Sequence, residues 1–269
     1  MSKKIGFIGY GNMSSAMIKG LVKMRNLKAS NIMVTDIDED KVKAAGKETG
    51  VCINFTAREI AGYAHVLIIA VKPDQYQGVI DRIKAHLKPE AIVVSIAAGL
   101  TIETLESYFD KPTRIVRTMP NTPAMVNAGM TALMPNVHVT PEDLERVSKI
   151  FNAFGKSEVV SESLIDAAIV TSGSAPAYVY MMIEAMIEGG MNEGMSQEMA
   201  TTFVTQAVLG AAKVVMETGV APHTLRDAVC SPNGTTIEAV NYLKDHHFAE
   251  IVQNAMKACA DRSREMSKS

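Results

Sequence analysis

Two short segments hold the residues whose types and spacing could do chemistry. The first reads GYGNMS and starts at Gly9, and the second reads SPNGTTIE and starts at Ser231. Glycines spaced as G-x-G let a backbone turn tightly and approach a pyrophosphate, which is the chemistry of dinucleotide binding. The second segment spaces a threonine and a glutamate as in a capping box, so it predicts a helix start whose N–H groups suit a carboxylate.

The glycine-rich segment predicts a turn between a strand and a helix. Its third small position is occupied by Ser14, whereas the usual fingerprint has Gly or Ala there. A helix beginning here would present free N–H groups and the positive end of its dipole to phosphates. A glycine-containing turn without a ligand is the alternative, but its place after the first predicted strand favours the dinucleotide site. The candidate cofactor-binding residues of this turn are Gly9, Tyr10, Gly11, Asn12 and Met13.

An acidic residue, Asp36, ends the second predicted strand, 25 residues after Gly11. A carboxylate at this position accepts hydrogen bonds from the ribose 2′-OH of NAD and repels the 2′-phosphate of NADP. Asp38 and Glu39 add to that repulsion. Alternatively, Asp36 begins a turn or caps the next helix. We therefore predict that NADH is preferred or at least well used.

In the second segment, the pattern T-x-x-E makes Thr235 the expected N-cap of a helix. Gly234, just before it, is expected to take a backbone angle that other residues avoid. The resulting free N–H groups would receive a carboxylate at the positive end of the helix. A well-capped helix with no ligand is the alternative interpretation.

Short apolar runs alternate with helical patterns over the first 160 residues. The predicted strands are 4–8, 31–36, 66–71, 91–96 and 114–118, with weaker candidates at 130–134 and 157–161. The predicted helices are 13–24, 39–50, 75–86, 102–108 and 141–154. Nearly apolar strands that alternate with helices indicate a parallel sheet covered on both faces.

After residue 161 the sequence shows no strand pattern, and the predicted helices are 163–190, 197–217, 225–229, 236–243 and 248–263. We therefore predict an α/β fold, with an N-terminal Rossmann-type doubly wound sheet over 1–161 followed by an all-helical C-terminal dimerisation domain over 162–269. The uncharged stretch 167–183 is shorter than the roughly 20 residues of a membrane span. We expect it to form a helix buried on all sides in a subunit interface.

The composition argues against several classes of function. A net charge of −2 gives no sign of nucleic-acid or membrane binding. The three cysteines are widely spaced and odd in number, which argues against a disulfide framework and favours a reducing, cytoplasmic location. The adjacent His246 and His247 lack the i,i+4 spacing of helical metal ligands, so no metal site is predicted.

Six segments along the whole chain resemble those of pyrroline-5-carboxylate reductases. They follow the family's order and approximate spacing, and together they are much more specific than any one alone. The segments are GFIGYGNM from Gly6, AVKP from Ala70, SIAAG from Ser95, RTMPNTP from Arg117, SGSAPAY from Ser172 and SPNGTTI from Ser231. The resemblance implies that the turns Ala70-Val71-Lys72-Pro73 and Ala97-Ala98 close over the nicotinamide half of the cofactor.

The same resemblance implies the substrate 1-pyrroline-5-carboxylate and the product L-proline, which is the final step of proline biosynthesis. Hydride transfer from NAD(P)H to the imine carbon would leave position and electrostatics to the protein. The carboxylate would lie on the backbone N–H groups of Gly234, Thr235 and Thr236, near the Ser231 hydroxyl. Thr236, the candidate catalytic residue, would hydrogen-bond the ring nitrogen. NADP is the family's usual cofactor, and the resemblance further implies a homodimer that could assemble into a decamer.

Two candidate residues leave alternatives open. Asn121 either contacts the cofactor or only shapes the Pro-flanked turn in which it lies, and Lys72 either positions ribose or phosphate or faces solvent. Departures from the family's pattern bear on cofactor choice and on substrate range. The family usually has Ser, Asn or Arg in place of Asp36, Asn in place of Ala57, and Gly in place of Ala175 and Asn233.

Two other functions fit parts of the sequence. A β-hydroxyacid dehydrogenase also joins a dinucleotide domain to a helical one, but alcohol oxidation needs a base, and those enzymes resemble one another in using a lysine on the long helix. No lysine occurs from residue 163 to residue 194, and imine reduction needs no such base. A protein that binds NAD(P)H without turnover is the second alternative, and the intact segment from Ser231 to Thr236 argues against it.

Overall fold

The computed structural model describes residues 4–24 and 27–266. The described chain forms two compact units: one runs up to Ser174 and also takes in the segment from Ala260, and the other comprises Ala175–Cys259. The predicted domains, 1–161 and 162–269, begin and end in residues that lie outside the described ones. Their division after residue 161 stays a prediction.

The first unit is built on a seven-stranded sheet. Its strands are β1 (Ile5–Ile8), β2 (Ile32–Thr35), β3 (Val66–Ile69), β4 (Ile92–Ser95), β5 (Arg114–Met119), β6 (Gly129–Pro135) and β7 (Gly155–Val159). They lie in the order β2-β1-β3-β4-β5-β6-β7. All neighbours are parallel except β5 and β6, which run antiparallel. Because β2 and β3 lie on opposite sides of β1, the carboxyl end of β1 is the topological switch point, where ligands bind in such sheets.

The helices of this unit are α1 (Asn12–Leu21), α2 (Glu39–Thr49), α3 (Ala57–Tyr63), α4 (Tyr76–Ile83), α5 (Ile102–Ser107), α6 (Pro141–Phe151) and α7 (Ile165–Ala168). Side chains alternate along each strand. Phe7 and Ile68 therefore join the core beneath α1, α2 and α6, whereas Leu67 and Ile115 join the core beneath α3, α4 and α5. All four are fully buried, which explains why the central strands are apolar on both faces.

The predicted strands and helices of this unit are confirmed, with ends shifted by up to three residues, and they include the two weaker strands. One helix, α3, was not predicted. Its start nevertheless carries a complete capping box, in which the Thr56 hydroxyl accepts from the Glu59 N–H and the Glu59 carboxylate accepts from the Thr56 N–H at 2.8 Å. The sequence therefore contained the signal for this helix.

The single helix predicted over 163–190 is broken. A short 3-10 turn, Glu162–Leu164, leads into α7, and a π-helical turn follows over Ile169–Gly173. The Ser174 N–H closes that turn by donating to the Ile169 carbonyl at 2.8 Å. Pro176 has no N–H to donate to the Ser172 carbonyl, but it lies in the first turn of the helix that begins at Ala175, where proline is tolerated.

The second unit contains α8 (Ala175–Asn192), α9 (Gln197–Thr218), α10 (Pro222–Val229), α11 (Thr235–Asp245) and most of α12 (Phe248–Met266). The predicted helices are confirmed. In the single chain α8 has no buried residue, so its expected burial in a subunit interface stays a prediction. Helix α8 packs on α9, and the outer surfaces of both expose large apolar side chains. Examples are Tyr180, Met181, Phe203, Leu209 and Met216.

Helix α9 is the one helix among the described residues that is long and apolar enough to cross a membrane. Length and composition alone are a weak indication, because helices covered by protein pass the same test. The helix also carries Lys213 and Glu217, whose side chains approach to 3.6 Å.

Candidate functional site

A cavity of about 640 Å³ opens at the carboxyl ends of β1, β2 and β3 in the first unit. This volume lies within the range of small-molecule and cofactor sites, and the place is the switch point of the sheet. The structure brings together here more than half of the predicted cofactor-binding residues. Those lining the cavity are Gly9, Tyr10, Gly11, Asp36, Ala70, Val71 and Lys72.

Gly9 is required where β1 ends. Its φ of +103° belongs to a region that side chains rarely allow, and a Cβ would lie 2.5 Å from the Ala70 carbonyl oxygen. The Gly9 N–H donates to the Thr35 carbonyl at 2.8 Å, and the Ala70 N–H donates to the Ile8 carbonyl at the same distance. Backbone hydrogen bonds therefore join the carboxyl ends of β1, β2 and β3 at the cavity.

Gly11 leaves space for a ligand. A Cβ on Gly11 would meet no protein atom within 4 Å, so the backbone faces open space in the cavity. Gly11 is the N-cap of α1, and no side chain caps this helix. The first N–H groups of an α-helix lack partners within the helix, and its N-terminus favours anions. The turn therefore fits a pyrophosphate.

Asp36 holds the glycine-rich turn in place. One carboxylate oxygen accepts the Tyr10 N–H at 2.5 Å, and the other accepts the Asp38 N–H at 3.0 Å. Asp36 therefore begins a turn and also lines the cavity. The cap of α2 is Asp38, which accepts the Lys41 N–H at 3.2 Å, and this hydrogen bond lowers the Asp38 pKa below its ordinary value.

Part of the cavity wall was missed in the sequence. The wall includes Gly78, Val79 and Arg82 of α4, the helix after β3. It also includes Ile37, which comes shortly after β2. Ile37 is 91% exposed, although it is a large apolar residue. An apolar residue directly after an acidic strand end was the available signal for Ile37, but nothing in the sequence shows which face of α4 meets the cavity.

Six predicted cofactor residues do not line this cavity: Asn12, Met13, Pro73, Ala97, Ala98 and Asn121. Met13 packs against the core instead. Ala97 and Ala98 follow β4, whose last residue Ser95 pairs with Ile69, the last residue of β3. The two turns expected near the nicotinamide therefore leave the sheet from adjacent strand ends.

The Asn121 side chain is used by the fold. Its oxygen accepts the Met130 N–H at 2.8 Å, and its nitrogen donates to the Ser172 carbonyl at 3.1 Å. Ser172 is four residues before Pro176, so its carbonyl lacks the usual helical donor. Both ends of the amide are thus occupied, which favours the interpretation that Asn121 shapes its surroundings over contact with a cofactor.

The segment from Ser231, in the second unit, corrects two predictions. Helix α11 begins at Thr235 with Gly234 as its N-cap, and no side chain caps it, so the expected capping box is wrong. Gly234 has an ordinary φ of −84°. The left-handed residue is Asn233, with φ 57°. Asn is among the few residues that visit this region, so it can stand where the family has Gly.

A side chain at Gly234 would have little space. Its Cβ would contact the Ser231 hydroxyl, which can rotate away, and would lie 3.1 Å from the Ser231 carbonyl oxygen. The Gly234 N–H donates to the Ser231 carbonyl at 3.0 Å, so it is already used in this conformation, contrary to the prediction that it is free. Thr235 and Thr236 lie in the first turn of α11, where N–H groups lack helical partners. These two N–H groups and the exposed Ser231 side chain can receive an anion.

Neither unit offers a metal centre or a disulfide within the described chain. No group of three or more His, Cys, Asp or Glu residues there could hold a metal ion. Cys52, Cys230 and Cys259 form no disulfide and are partly buried.

Two family models match the chain. The model for pyrroline-5-carboxylate reductase dimerisation matches residues 162–266. The model for NADP oxidoreductase, coenzyme F420-dependent, matches residues 4–99. The two matches fall on the helical part and on the glycine-rich part of the chain.

Full-length relatives agree with these matches. The chain is 45% identical over 269 residues to pyrroline-5-carboxylate reductase of Escherichia coli K12, with 100% of both chains covered. It is 36% identical to the Arabidopsis thaliana reductase, covering 100% of this chain and 97% of that one. The structure of a pyrroline-5-carboxylate reductase from Coxiella burnetii superposes with a TM-score of 0.94, at 35% identity and full coverage of both chains. The Plasmodium falciparum pyrroline carboxylate reductase, solved with NADP bound, gives 0.87 at 31% identity and 98% coverage of both.

We predict that Gly11→Ala weakens dinucleotide binding without unfolding the protein. The added methyl would occupy the space of a phosphate, and overpacking of about 1–3 kcal/mol corresponds to a roughly ten- to hundredfold higher Kd. Isothermal titration with NADH and NADPH, together with thermal melting, measures both properties. Gly62→Ala in α3, where the Cβ meets its nearest neighbour at an ordinary 3.6 Å, is the matched control. Unchanged affinity in Gly11→Ala would remove the phosphate from this turn.

Proposed function

Because the chain belongs to the pyrroline-5-carboxylate reductase family, we propose that it reduces 1-pyrroline-5-carboxylate to L-proline, the last step of proline biosynthesis. The observation that carries this proposal is the glycine-lined cavity at the switch point, in a chain whose helical part matches the family's dimerisation model. We place the division between the dinucleotide domain and the helical domain after residue 161, which agrees with a match that begins at residue 162.

The first unit would hold the cofactor through its backbone. A bound reduced nicotinamide supplies the hydride. The Gly9–Gly11 turn and the start of α1 would bind the pyrophosphate. Asp36 would accept from the ribose, and the turns Ala70-Val71-Lys72-Pro73 and Ala97-Ala98 would enclose the nicotinamide half. Ala70, Val71 and Lys72 line the same cavity as the glycines, which supports this assignment.

Asp36 is the basis for the proposed use of NADH. Its carboxylate is held by the Tyr10 and Asp38 N–H groups, so it has little freedom to move away from a 2′-phosphate. Asp38 lines the same wall and adds negative charge there, partly offset by Lys41, whose ammonium lies 3.3 Å from the Asp38 carboxylate. A ribose 2′-OH is accommodated by such a wall more readily than a phosphate dianion.

The segment from Ser231 would hold the substrate. Thr235 and Thr236 would offer backbone N–H groups to the carboxylate, with the Ser231 hydroxyl beside them, whereas Gly234 would shape the turn. The Thr236 hydroxyl would hydrogen-bond the ring nitrogen, which holds or receives a proton as the imine carbon gains the hydride. A hydroxyl is a weak acid, so its contribution is orientation and a modest stabilisation of charge.

Assembly would occur through the helical domain. The exposed apolar side chains of α8 and α9 need cover, and a second copy of the chain would provide it as in the family. Dimers could assemble further into a decamer. Cysteines that form no disulfide fit a reducing, cytoplasmic location, and the near-neutral charge fits a protein without nucleic-acid or membrane partners.

The proposed reaction can be assayed directly. Initial rates of NADH and NADPH oxidation with DL-pyrroline-5-carboxylate should show turnover, and amino-acid analysis should identify L-proline as the product. We expect kcat/KM with NADH to equal or exceed that with NADPH. A preference for NADPH of more than about tenfold would refute the role of Asp36, since one pair of well-placed charges is worth that much. Absence of turnover in protein that binds a cofactor would refute the function.

Thr236→Ala should lower kcat by about tenfold, less than the roughly hundredfold at which full general-acid catalysis begins. Its Kd for NADH should stay unchanged, because no cofactor contact is assigned to it. Thr236→Ser keeps the hydroxyl and should restore most of the rate, and Thr235→Ala tests a neighbouring hydroxyl with no assigned role in the chemistry. Wild-type kcat in Thr236→Ala would remove this hydroxyl from the mechanism.

The purified protein should have the mass of at least two 29.0 kDa chains by light scattering at micromolar concentration. The double variant Phe203→Glu/Leu209→Glu introduces charges on α9 and should shift the mass towards one chain, because buried unpaired charges are costly. Val137→Glu, at a residue that is 91% exposed in the first unit, is the control and should leave the mass unchanged. A monomeric wild type would contradict the proposed assembly.

A further inference from the structure

A buried tyrosine lies directly behind the cofactor cavity. Tyr76 is the first residue of α4 and is fully buried. Its hydroxyl donates to the Ile69 carbonyl at 2.5 Å. Ile69 is the last residue of β3, so this bond is made at the base of the turn that begins with Ala70. The sequence gives no reason to expect a phenol here.

The same carbonyl is shared with the neighbouring turn. The Ile69 carbonyl also accepts the Ile96 N–H at 3.4 Å, and the Ser95 hydroxyl accepts the Ala97 N–H at 3.3 Å. The Ile69 carbonyl thus accepts from both the Tyr76 hydroxyl and the Ile96 N–H, which is the start of the Ala97 turn. One carbonyl therefore connects Tyr76 to the base of the Ala70 turn and to the base of the Ala97 turn.

These contacts form a polar network in an otherwise apolar core. Ser95 and Thr118 are as buried as Tyr76, and the Thr118 hydroxyl donates to the Ser95 carbonyl at 2.9 Å, which extends the network to β5. Burial raises the Tyr76 pKa to about 12, so the phenol is neutral and acts as a hydrogen-bond donor. A phenylalanine would fill the same space, so the hydroxyl is retained at a desolvation cost that only its partners offset.

Tyr76 also anchors the opposite wall. It is the first residue of α4, whose Gly78, Val79 and Arg82 line the same cavity as the glycine-rich turn. A satisfied buried network of this kind specifies one geometry, because every alternative leaves a polar group without a partner. The side chain thus sets the spacing between the Ala70 turn, the Ala97 turn and the first turn of α4.

We propose that Tyr76 is a positioning residue, whose hydroxyl fixes the two nicotinamide-facing turns relative to each other and so aligns the nicotinamide for hydride transfer. The inference rests on the proposed function, because that function places the nicotinamide against these turns. It concerns the nicotinamide half: the pyrophosphate and adenosine contacts are assigned to Gly9–Gly11 and Asp36, whose hydrogen bonds go to partners other than Tyr76.

The test is Tyr76→Phe, with Tyr63→Phe as the matched control. Tyr63 also donates to a backbone carbonyl, that of Ser30 at 3.2 Å, but it precedes β3 and so lies at the amino ends of the strands. For each protein we would measure the melting temperature, the Kd values for ADP-ribose and NADH, and the single-turnover rate of NADH oxidation with pyrroline-5-carboxylate.

In Tyr76→Phe we expect the single-turnover rate to fall by about tenfold, because small misplacements of reacting groups are costly. The Kd for NADH should rise, while the Kd for ADP-ribose, which lacks the nicotinamide, should stay within about twofold of wild type. Tyr63→Phe should change neither. If Tyr76→Phe fails to fold, Ser95→Ala, which removes another member of the network, should give the same split between NADH and ADP-ribose.

Either of two results would overturn the proposal. One is a wild-type rate and wild-type NADH affinity in Tyr76→Phe. The other is an equal loss of affinity for NADH and ADP-ribose that follows the loss of melting temperature, which is the signature of a merely structural side chain. If the wild-type protein forms no proline, the proposed function fails, and the ratio of the two Kd values still decides the role of Tyr76.

Discussion

The close backbone approach between Gly9 and Ala70 is the constraint on which the candidate site depends. β1 lies between β2 and β3, so a ligand can bind in the crevice at the carboxyl end of β1. Any side chain at Gly9 would press on the Ala70 carbonyl and separate the two turns. Asp36 then completes the arrangement from β2, since its carboxylate holds the Tyr10 N–H. The cavity forms because the ends of β1, β2 and β3 contact one another through backbone atoms, which leaves the space above them free of side chains.

Most of the fold could be predicted because its signals are local. Apolar runs bounded by helical patterns locate all seven strands, whereas their order in the sheet is known only from the structure. The T-x-x-E pattern was a less reliable signal of a capped helix start. Thr56 and Glu59 form a capping box that was overlooked, whereas Thr235 and Glu238 share the spacing and form none. The difference lies upstream, where the left-handed Asn233 makes Gly234 the N-cap and moves Thr235 into the helix.

The site was predictable where a motif carries the chemistry, as at Gly9, Gly11 and Asp36. It was not predictable where contacts join residues far apart in sequence. Asn121 is an example: its amide reaches Ser172, 51 positions away, and supplies the donor that Pro176 lacks. Arg82 reaches the cavity only because α4 packs back on β3, and no local pattern records that packing.

Helix α9 carries apolar surface that the single chain leaves uncovered. Phe203 and Leu209 are six positions apart, so at about 100° per residue they point in directions about 120° apart, and both are more than 60% exposed. A surface helix has one apolar stripe, whereas a helix that is apolar in several directions needs cover on several sides. Thr201 and Thr205 already bond carbonyls of their own helix, so apolar cover would leave neither hydroxyl unpaired. The charged Lys213 and Glu217 lie near the end of the helix, where they can stay at the rim of a protein interface. We infer that the missing part of this core comes from another protein chain.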